Sequence, residues 1–389
     1  MVKLSLDNTD NGGNTVKKAI ILSASTGGGH NRAANAIKEE LMNTGFQSVE
    51  VIDSLKSVSN TVDKLISKGY ETSALYTPKA YGEIYKISDF KPLKKELKRN
   101  ILFKYMLKKL KVLIREKNPD LIIGTHPFPL MAVSSLKNKG IITTPVFSVL
   151  TAYTIHSTWV QDQINAYIVG DEYVKALLEE EGVKKENIFP FGIPIEKSFL
   201  SSSDPERVKE ELMLKDKFTI LLMGGSFGAG GVRGVLEELL QINEDIQIIA
   251  VAGRNNSLRQ KLEKTVEDYK AHEKVRVLGF TKDMSSLLSL SSVIVTKPGG
   301  LTTTEAILKE TPMIVPYYIP GQEEENLEFL LNNGLALRPT KRYPLGILIK
   351  ILIDYPERLL SIKESMHRVK KEASAVNIAS LAIKYTNHL

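Results

Sequence analysis

Short apolar runs alternate with amphipathic helical patterns along most of the chain. Runs of this kind, bounded by polar or glycine-rich turns, predict strands buried on both faces, as in a parallel sheet covered by helices. In the first half of the chain they fall at residues 19–22, 49–53, 121–124, 146–150 and 166–170. In the second half they fall at residues 218–223, 246–252, 275–278, 293–296 and 313–315. This alternation predicts the α/β fold class with parallel sheets.

Each half of this pattern opens with a glycine-rich turn, the first at residues 27–30 and the second at residues 224–231. Each turn leads directly from an apolar run into a helical pattern. Between them, residues 201–205 fit neither pattern, which predicts a domain boundary. We therefore predict a loose tail over residues 1–17 and two Rossmann-like domains, 18–198 and 199–389, facing each other across a cleft. The helical pattern from Pro356 onward ends the chain, and we expect its last helix to pack back on the first domain.

The composition fits a globular protein and argues against several other classes. A chain of 389 residues is too long for one ordinary domain core. Of its residues, 42% are apolar and 25% are charged, as in a globular protein. No apolar run approaches the roughly 18 residues of a membrane span, and the polar N-terminus lacks the apolar core of a signal peptide. The chain has no cysteine, and its six histidines show no HExxH spacing, so we expect neither a disulfide nor a metal. These features favour a cytoplasmic location.

Positive charge is concentrated within residues 55–117. Residues 91–117 contain eleven Lys/Arg and two Glu, whereas the net charge of the whole chain is +7. Apolar residues recur here at helical spacing, and such basic helices bind anionic bilayers, with about 1 kcal/mol for each basic residue near the surface. This interpretation predicts a peripheral protein on the inner face of the cell membrane. The alternative is a helix that buries its apolar stripe in the core and leaves its basic face in water.

The first glycine turn combines a helix start with a histidine. Gly28 and Gly29 carry no Cβ, so another molecule can approach their backbone closely. The helix start offers unpaired N–H groups and a positive dipole end. His30 is suited to proton transfer, because imidazole titrates near neutral pH. The alternative is a plain turn with an exposed histidine.

Two stretches in the second half predict ligand contacts. Gly299 and Gly300 precede a helix that opens with three threonines, which offers N–H and hydroxyl donors to a phosphate. Glu305 lies one turn further on and can accept hydrogen bonds from two ribose hydroxyls. Residues 320–326 combine amide and carboxylate side chains, which suit a sugar. In each stretch the alternative is a helix start without a ligand, and neither glycine turn has the spacing of a dinucleotide or P-loop site.

Six motifs together resemble those of glycolipid glycosyltransferases. They are STGGGH at residues 25–30, THPFP at 125–129, GIP at 192–194, GGS at 224–226, KPGG at 297–300 and GQE at 321–323. The chain is similar to the group that contains monogalactosyldiacylglycerol synthase and processive diacylglycerol glucosyltransferase. More distantly, it is similar to the peptidoglycan N-acetylglucosaminyl transferase.

The resemblance implies a GT-B fold, a UDP-sugar donor held mainly by the second domain, inversion at the anomeric carbon, and neither a catalytic metal nor a cofactor. It implies that Phe280 meets the uracil through its backbone, that Glu305 binds the ribose, and that Gln322 and Glu323 contact the sugar. The full set of donor-binding residues is Gly28, Gly29, Gly192, Gly225, Ser226, Arg254, Phe280, Gly299, Gly300, Leu301, Thr302, Glu305, Gln322 and Glu323.

The sequence departs from the family pattern at one position that is relevant to catalysis. After the strand at 146–150 the family pattern is Thr-Asp-Tyr/Phe-x-x-His-x-x-Trp, whereas this chain has Ala152 in place of the aspartate and keeps His156 and Trp159. The catalytic set is then His30, the position of Ala152, and His156. A general base must deprotonate the acceptor hydroxyl. Either that base was the missing aspartate and this chain is impaired, or His30 is the base.

Three functions are consistent with these residues. The first is transfer of a hexose from UDP-glucose or UDP-galactose to diacylglycerol at an anionic membrane surface. The second is transfer to a lipid-linked peptidoglycan precursor or another acceptor. The third is a UDP-sugar-binding membrane protein that is catalytically impaired because of Ala152. No nucleic-acid partner is expected.

Overall fold

Two parallel six-stranded sheets with flanking helices organise the chain. The computed structural model describes residues 17–25, 28–54, 56, 101–200, 204–224 and 231–387, and only the backbone of residues 101 and 102. The predicted α/β fold with parallel sheets is confirmed. Gly225 and Ser226 of the predicted donor site lie outside the described residues, as does most of the basic segment.

The first sheet has the strand order β2-β1-β3-β4-β5-β6, and all of its pairs are parallel. Its strands are β1 (Lys18–Ser23), β2 (Ser48–Asp53), β3 (Leu121–Gly124), β4 (Val146–Val149), β5 (Ala166–Ile168) and β6 (Ile188–Phe189). The helices of this half are α1 (Gly28–Asn43), α2 (Ile101–Lys117), α3 (Pro127–Asn138) and α4 (Glu172–Glu180), with 3-10 turns at Ser157–Trp159, Lys185–Asn187 and Lys197–Phe199.

The second sheet has the strand order β12-β11-β10-β7-β8-β9, again with all pairs parallel. Its strands are β7 (Phe218–Met223), β8 (Ile246–Val251), β9 (Val275–Leu278), β10 (Val293–Val295), β11 (Met313–Ile314) and β12 (Ala336–Leu337). The helices that follow β6 are α5 (Pro205–Glu211), α6 (Val232–Leu240), α7 (Asn256–Asp268), α8 (Met284–Leu290), α9 (Gly300–Leu308), α10 (Gln322–Asn332), α11 (Leu345–Asp354), α12 (Glu357–Val369) and α13 (Ser374–Thr386).

The strand order reverses once in each sheet, and these points locate the ligand crevices. In the first sheet the reversal lies between β1 and β3, and in the second it lies between β7 and β10. Ligands of open α/β sheets bind outside the carboxyl ends of the strands at such a reversal. His30 follows β1 and Gly299 follows β10, so both predicted motifs lie at these points.

Helix α2 is the described part of the basic segment, and its two faces differ sharply. Met106, Leu110 and Ile114 are buried in the core of the first half. The basic residues Lys104, Lys108 and Arg115 are exposed on the other side. The apolar stripe of residues 103–117 is therefore buried in the core, as the alternative to membrane binding predicted for this helix. Its basic face is exposed. Within the described residues, no helix is long and apolar enough to cross a bilayer.

The last helix, α13, packs on the first half of the molecule. Ile378, Ala379 and Ala382 are fully buried in one apolar cluster with Ile37 and Leu41 of α1. The chain therefore passes between the halves twice, once after β6 and once between α12 and α13. The two passages lie side by side, because the Ser374 hydroxyl donates to the Gly192 carbonyl at 2.6 Å.

Several elements differ from the sequence pattern. The two-residue edge strands β6 and β12 had not been predicted, because two residues carry no periodicity. Helix α1 begins at Gly28, within the glycine turn itself, so His30 lies in its first turn. The helical pattern after Pro356 forms two helices, α12 and α13, and Lys370 between them is extended with ψ of 141° where the chain returns to the first half.

Candidate active site

His30 is held in one orientation by the carboxyl ends of β3 and β4. Its Nδ1 atom lies 2.6 Å from the Thr125 carbonyl oxygen and 2.9 Å from the Thr151 hydroxyl. A carbonyl oxygen can only accept, so Nδ1 carries the hydrogen and Nε2 keeps its lone pair. Burial lowers the pKa of His30 to about 4, only partly offset by the hydrogen bond to Thr125. The imidazole is therefore neutral at pH 7, as a general base requires.

A second histidine, His126, packs against the first. The two ring centroids are 4.8 Å apart in a T-shaped arrangement, and His126 is 6% exposed. Its Nδ1 atom caps α3 by accepting from the Phe128 N–H at 3.3 Å. Burial, together with the nearby His30, lowers the pKa of His126 well below its usual range. Both rings are therefore neutral, and His126 packs edge to face against His30.

The other two residues of the predicted catalytic set lie in the loop after β4. Ala152 is 1% exposed, directly after the Thr151 that contacts His30. His156 caps the 3-10 turn at Ser157–Trp159, where its Nδ1 accepts from the Thr158 N–H at 3.3 Å and lies 2.7 Å from the Thr158 hydroxyl. The structure therefore shows a loop-capping role for His156.

The predicted phosphate site is the start of α9. An added Cβ at Gly299 would lie within 4 Å of none of the described residues, which leaves room beside its backbone. An added Cβ at Gly300 would lie 2.0 Å from the Thr151 carbonyl oxygen, and one at Gly29 would lie 3.5 Å from a Leu301 methyl carbon. The start of α1 and the loop after β4 therefore meet the start of α9 across the cleft. Thr302 is half-buried in the first turn of α9.

The carboxylate of Glu305, the predicted ribose ligand, is paired with a residue from the opposite half. Glu305 is 3% exposed, and its carboxylate forms an ion pair with Arg32 of α1. Arg32 also pairs with Glu196 at 3.3 Å. Burial raises the pKa of Glu305 to about 7, while the Arg32 guanidinium acts in the opposite direction. A ribose that binds Glu305 must therefore compete with Arg32 for the carboxylate.

The remaining predicted donor contacts lie at the carboxyl ends of the second sheet. Arg254 follows β8 and Phe280 follows β9, and the guanidinium lies 4.7 Å from the Phe280 ring centroid. Phe280 is 59% exposed and can be covered by a ligand. Arginine above an aromatic ring forms a flat, rigid edge of the kind that a nucleobase can pack against.

Helix α10 begins with Gln322 and Glu323, and the structure gives the second of these a structural partner. Glu323 pairs with Lys297 and accepts from the Ile319 N–H at 2.9 Å. Gln322 is half-buried at the helix start. Gly192, with φ of +94°, lies against Lys371 where the chain returns to the first half.

Sequence reasoning missed the residues that join the two halves. Arg32, Tyr153 and Asn326 each contact the opposite half. Tyr153 belongs to a motif that had been noted, and Arg32 lies two residues after His30, but nothing in a linear sequence shows which partner each side chain meets.

Comparison with solved structures shows the same two-domain fold. MurG of Acinetobacter baumannii matches with a TM-score of 0.61 and 13% identity over 95% of this chain and 99% of that one. The Anabaena protein HepE, solved in complex with UDP-glucose, matches with a TM-score of 0.57 and 13% identity over 96% of this chain and all of that one. The fold class is therefore GT-B, two Rossmann-like domains around a cleft, as expected.

Comparison with sequence families is more specific. Residues 30–195 match the monogalactosyldiacylglycerol (MGDG) synthase family, and residues 219–375 match the glycosyltransferase family 28 C-terminal domain. A processive diacylglycerol beta-glucosyltransferase of Bacillus licheniformis is 30% identical over 370 residues, 94% of this chain and 93% of its own. That of Bacillus subtilis is 30% identical over 373 residues, with the same coverage. The chain belongs to this family of glycosyltransferases.

Proposed function

We propose that the protein transfers a hexose from a UDP-sugar to the free hydroxyl of diacylglycerol, with inversion, at a membrane surface. The observation that carries the proposal is the neutral His30, whose Nε2 keeps its lone pair and whose helix start packs on the start of α9. The named relatives act on diacylglycerol, and the resemblance in their motifs supports the same acceptor here.

In the proposed reaction, His30 Nε2 removes the proton of the acceptor hydroxyl. The oxygen forms a bond to the anomeric carbon from the face opposite the diphosphate, and the bond to UDP breaks. The start of α9 supports departure of UDP, because its unpaired N–H groups and positive dipole end stabilise the negative charge that develops there. The proton remains on His30 until solvent removes it.

Donor binding is proposed to use groups at the carboxyl ends of the second sheet. The uracil would cover Phe280, the ribose would displace Arg32 from Glu305, and the diphosphate would lie before Gly299. The sugar would lie near Gln322 and Glu323. The basic face of α2 would add charge attraction to anionic lipids, and its exposed Tyr105 and Val112 would give limited apolar contact.

The decisive experiment is a donor panel on diacylglycerol liposomes. UDP-glucose, UDP-galactose and UDP-N-acetylglucosamine are each incubated with the full chain, and released UDP and lipid product are measured. We expect one hexose donor to give a glycolipid and UDP in equal amounts, and His30→Asn to reduce the rate by about 10² to 10⁴-fold. Turnover only with another acceptor, or equal turnover by His30→Asn, would contradict the proposal.

A further inference from the structure

The loop after β4 reaches across the cleft and inserts one aromatic side chain into the second half. Tyr153 is 7% exposed, and its ring stacks on Phe329 of α10 at a centroid distance of 4.2 Å and an angle of 11°. Tyr153 belongs to the apolar core of the second half, although its chain segment belongs to the first. Stacked aromatic pairs contribute about 0.5–1.5 kcal/mol beyond burial, so this contact fixes the loop firmly.

The polar groups of Tyr153 are directed at the start of α9. Its backbone N–H donates to the side-chain Oδ1 of Asn326 at 2.9 Å, and the side-chain Nδ2 of Asn326 donates to the Pro298 carbonyl at 2.9 Å. The Thr304 hydroxyl donates to the Gly300 carbonyl at 2.9 Å, so the Tyr153 hydroxyl is the donor in its 3.0 Å bond to Thr304. The Tyr153 hydroxyl therefore bonds to α9 directly, whereas its N–H is linked to Pro298, before α9, only through the side chain of Asn326 in α10.

The residue before Ala152 connects the same loop to the proposed base. Thr151 contacts His30 Nδ1 through its hydroxyl, and its carbonyl oxygen packs on Gly300 so closely that a Cβ there would be 2.0 Å away. Three consecutive residues, 151–153, thus join His30 in one half to the α9 turn in the other. All three are buried, and Tyr153 is the one whose side chain enters the core of the second half.

We propose that Tyr153 is a positioning residue that sets the separation between His30 and the start of α9. The inference rests on the proposed function, since it assigns the acceptor proton to one side of this separation and the leaving diphosphate to the other. Direct displacement needs the acceptor oxygen, the anomeric carbon and the leaving diphosphate oxygen in line, with the base within reach of the acceptor proton, and an error of about 1 Å costs on the order of 10²-fold in rate. Tyr153 maintains that alignment without touching the reacting atoms.

Kinetics separate positioning from general support of the fold. Tyr153→Phe keeps the stacked ring and is expected to retain kcat within about threefold. Tyr153→Leu removes the stacked ring. For this variant we expect kcat to fall on the order of 10²-fold while the Kd for UDP stays within about twofold. The matched control is Tyr167→Leu, because Tyr167 is 2% exposed and bonded to Gln161 entirely within the first half. Tyr153→Leu with normal kcat, or with kcat and UDP affinity lost in parallel, would overturn the inference.

A distance measurement tests the inference without turnover, so this test can be read even if the proposed reaction is wrong. The chain has no native cysteine, so Met42→Cys on α1 and Lys264→Cys on α7 can carry the only two spin labels. Both positions are exposed. We expect a narrow distance distribution in the parent, in Tyr153→Phe and in Tyr167→Leu, and a broader one in Tyr153→Leu and Phe329→Leu. An unchanged distribution in both of the latter would refute the role of Tyr153.

Discussion

At the scale of single residues, the protonation state of His30 determines what the candidate site can do. The Thr125 carbonyl assigns the hydrogen to Nδ1, and burial keeps the ring neutral. Unperturbed imidazole, with a pKa of about 6.5, would be mostly protonated at pH 6. The environment of His30 therefore widens the pH range over which a base is present.

This environment predicts the acid limb of the pH–rate profile. Because the pKa of His30 is lowered to about 4, kcat/KM should stay nearly constant from pH 8 to pH 6 and fall only as the pH approaches that value. The same shift makes the neutral ring favour folding above pH 6.5, and this contribution is lost as the pH falls through about 4. Circular dichroism at each pH separates unfolding from titration. An acid limb centred near 6.5 would show that His30 is not the base, or that it is not buried during turnover.

Ala152 gives a second prediction at the residue scale. Ala152→Asp restores the carboxylate of the family pattern beside Thr151, where its charge would stabilise a protonated His30. We expect turnover to rise tenfold or more and the acid limb to move to higher pH. Ala152→Asn is the control, because it has the same size without the charge. Equal turnover in the parent and Ala152→Asp would argue against inactivation at this position.

The sequence predicted this site in part. His30 and Glu305 were found because each follows a buried strand at the start of a helix, a local pattern that fixes position along the sheet edge. Their surroundings were not predictable, since the Arg32–Glu305 pair joins residues that are 273 positions apart. The loop-capping role of His156 depends on backbone geometry that composition does not reveal.

At the scale of elements, α2 shows why an amphipathic pattern is ambiguous. The spacing of Met106, Leu110 and Ile114 fits a core helix and a bilayer helix equally well, because both need one apolar stripe. Tertiary packing decides, and the stripe is buried. Strands were easier to predict, because a continuous apolar run such as that of β3 fits a strand buried on both faces. Among the described strands, the two-residue edge strands β6 and β12 were missed.

The exposed basic face of α2 predicts a charge-dependent interaction with lipid. The triple change Lys104→Gln, Lys108→Gln and Arg115→Gln should weaken binding to anionic vesicles by about 1 kcal/mol per residue, on the order of 10²-fold in total. Vesicle flotation at moderate salt measures it. The control is the same change at Lys261, Lys264 and Lys270, which are exposed on and after α7. Equal losses in both variants, or no binding by the parent, would exclude α2 as a docking face.

At the scale of the whole molecule, α13 makes the fold of the first half depend on the end of the chain. Ile378 is fully buried between α13 and the first half, whereas Val376 on the same helix is 45% exposed. Ile378→Ala should lower the free energy of unfolding by about 2–5 kcal/mol, because a buried side chain is replaced by a cavity. Val376→Ala should change it by well under 1 kcal/mol. Denaturant titration of both variants tests this, and equal midpoints would show that α13 contributes little.

The paired passages of the chain between the halves have a mechanical consequence. One connection would leave the domains free to twist against each other, whereas two that lie side by side, bonded at Gly192 and Ser374, restrict that twist. Gly192 has a φ of +94°, which favours glycine, and an added Cβ there would lie 2.6 Å from Lys371. A side chain at this position would therefore push the two passages apart and disturb how the halves meet at Thr151 and Gly300.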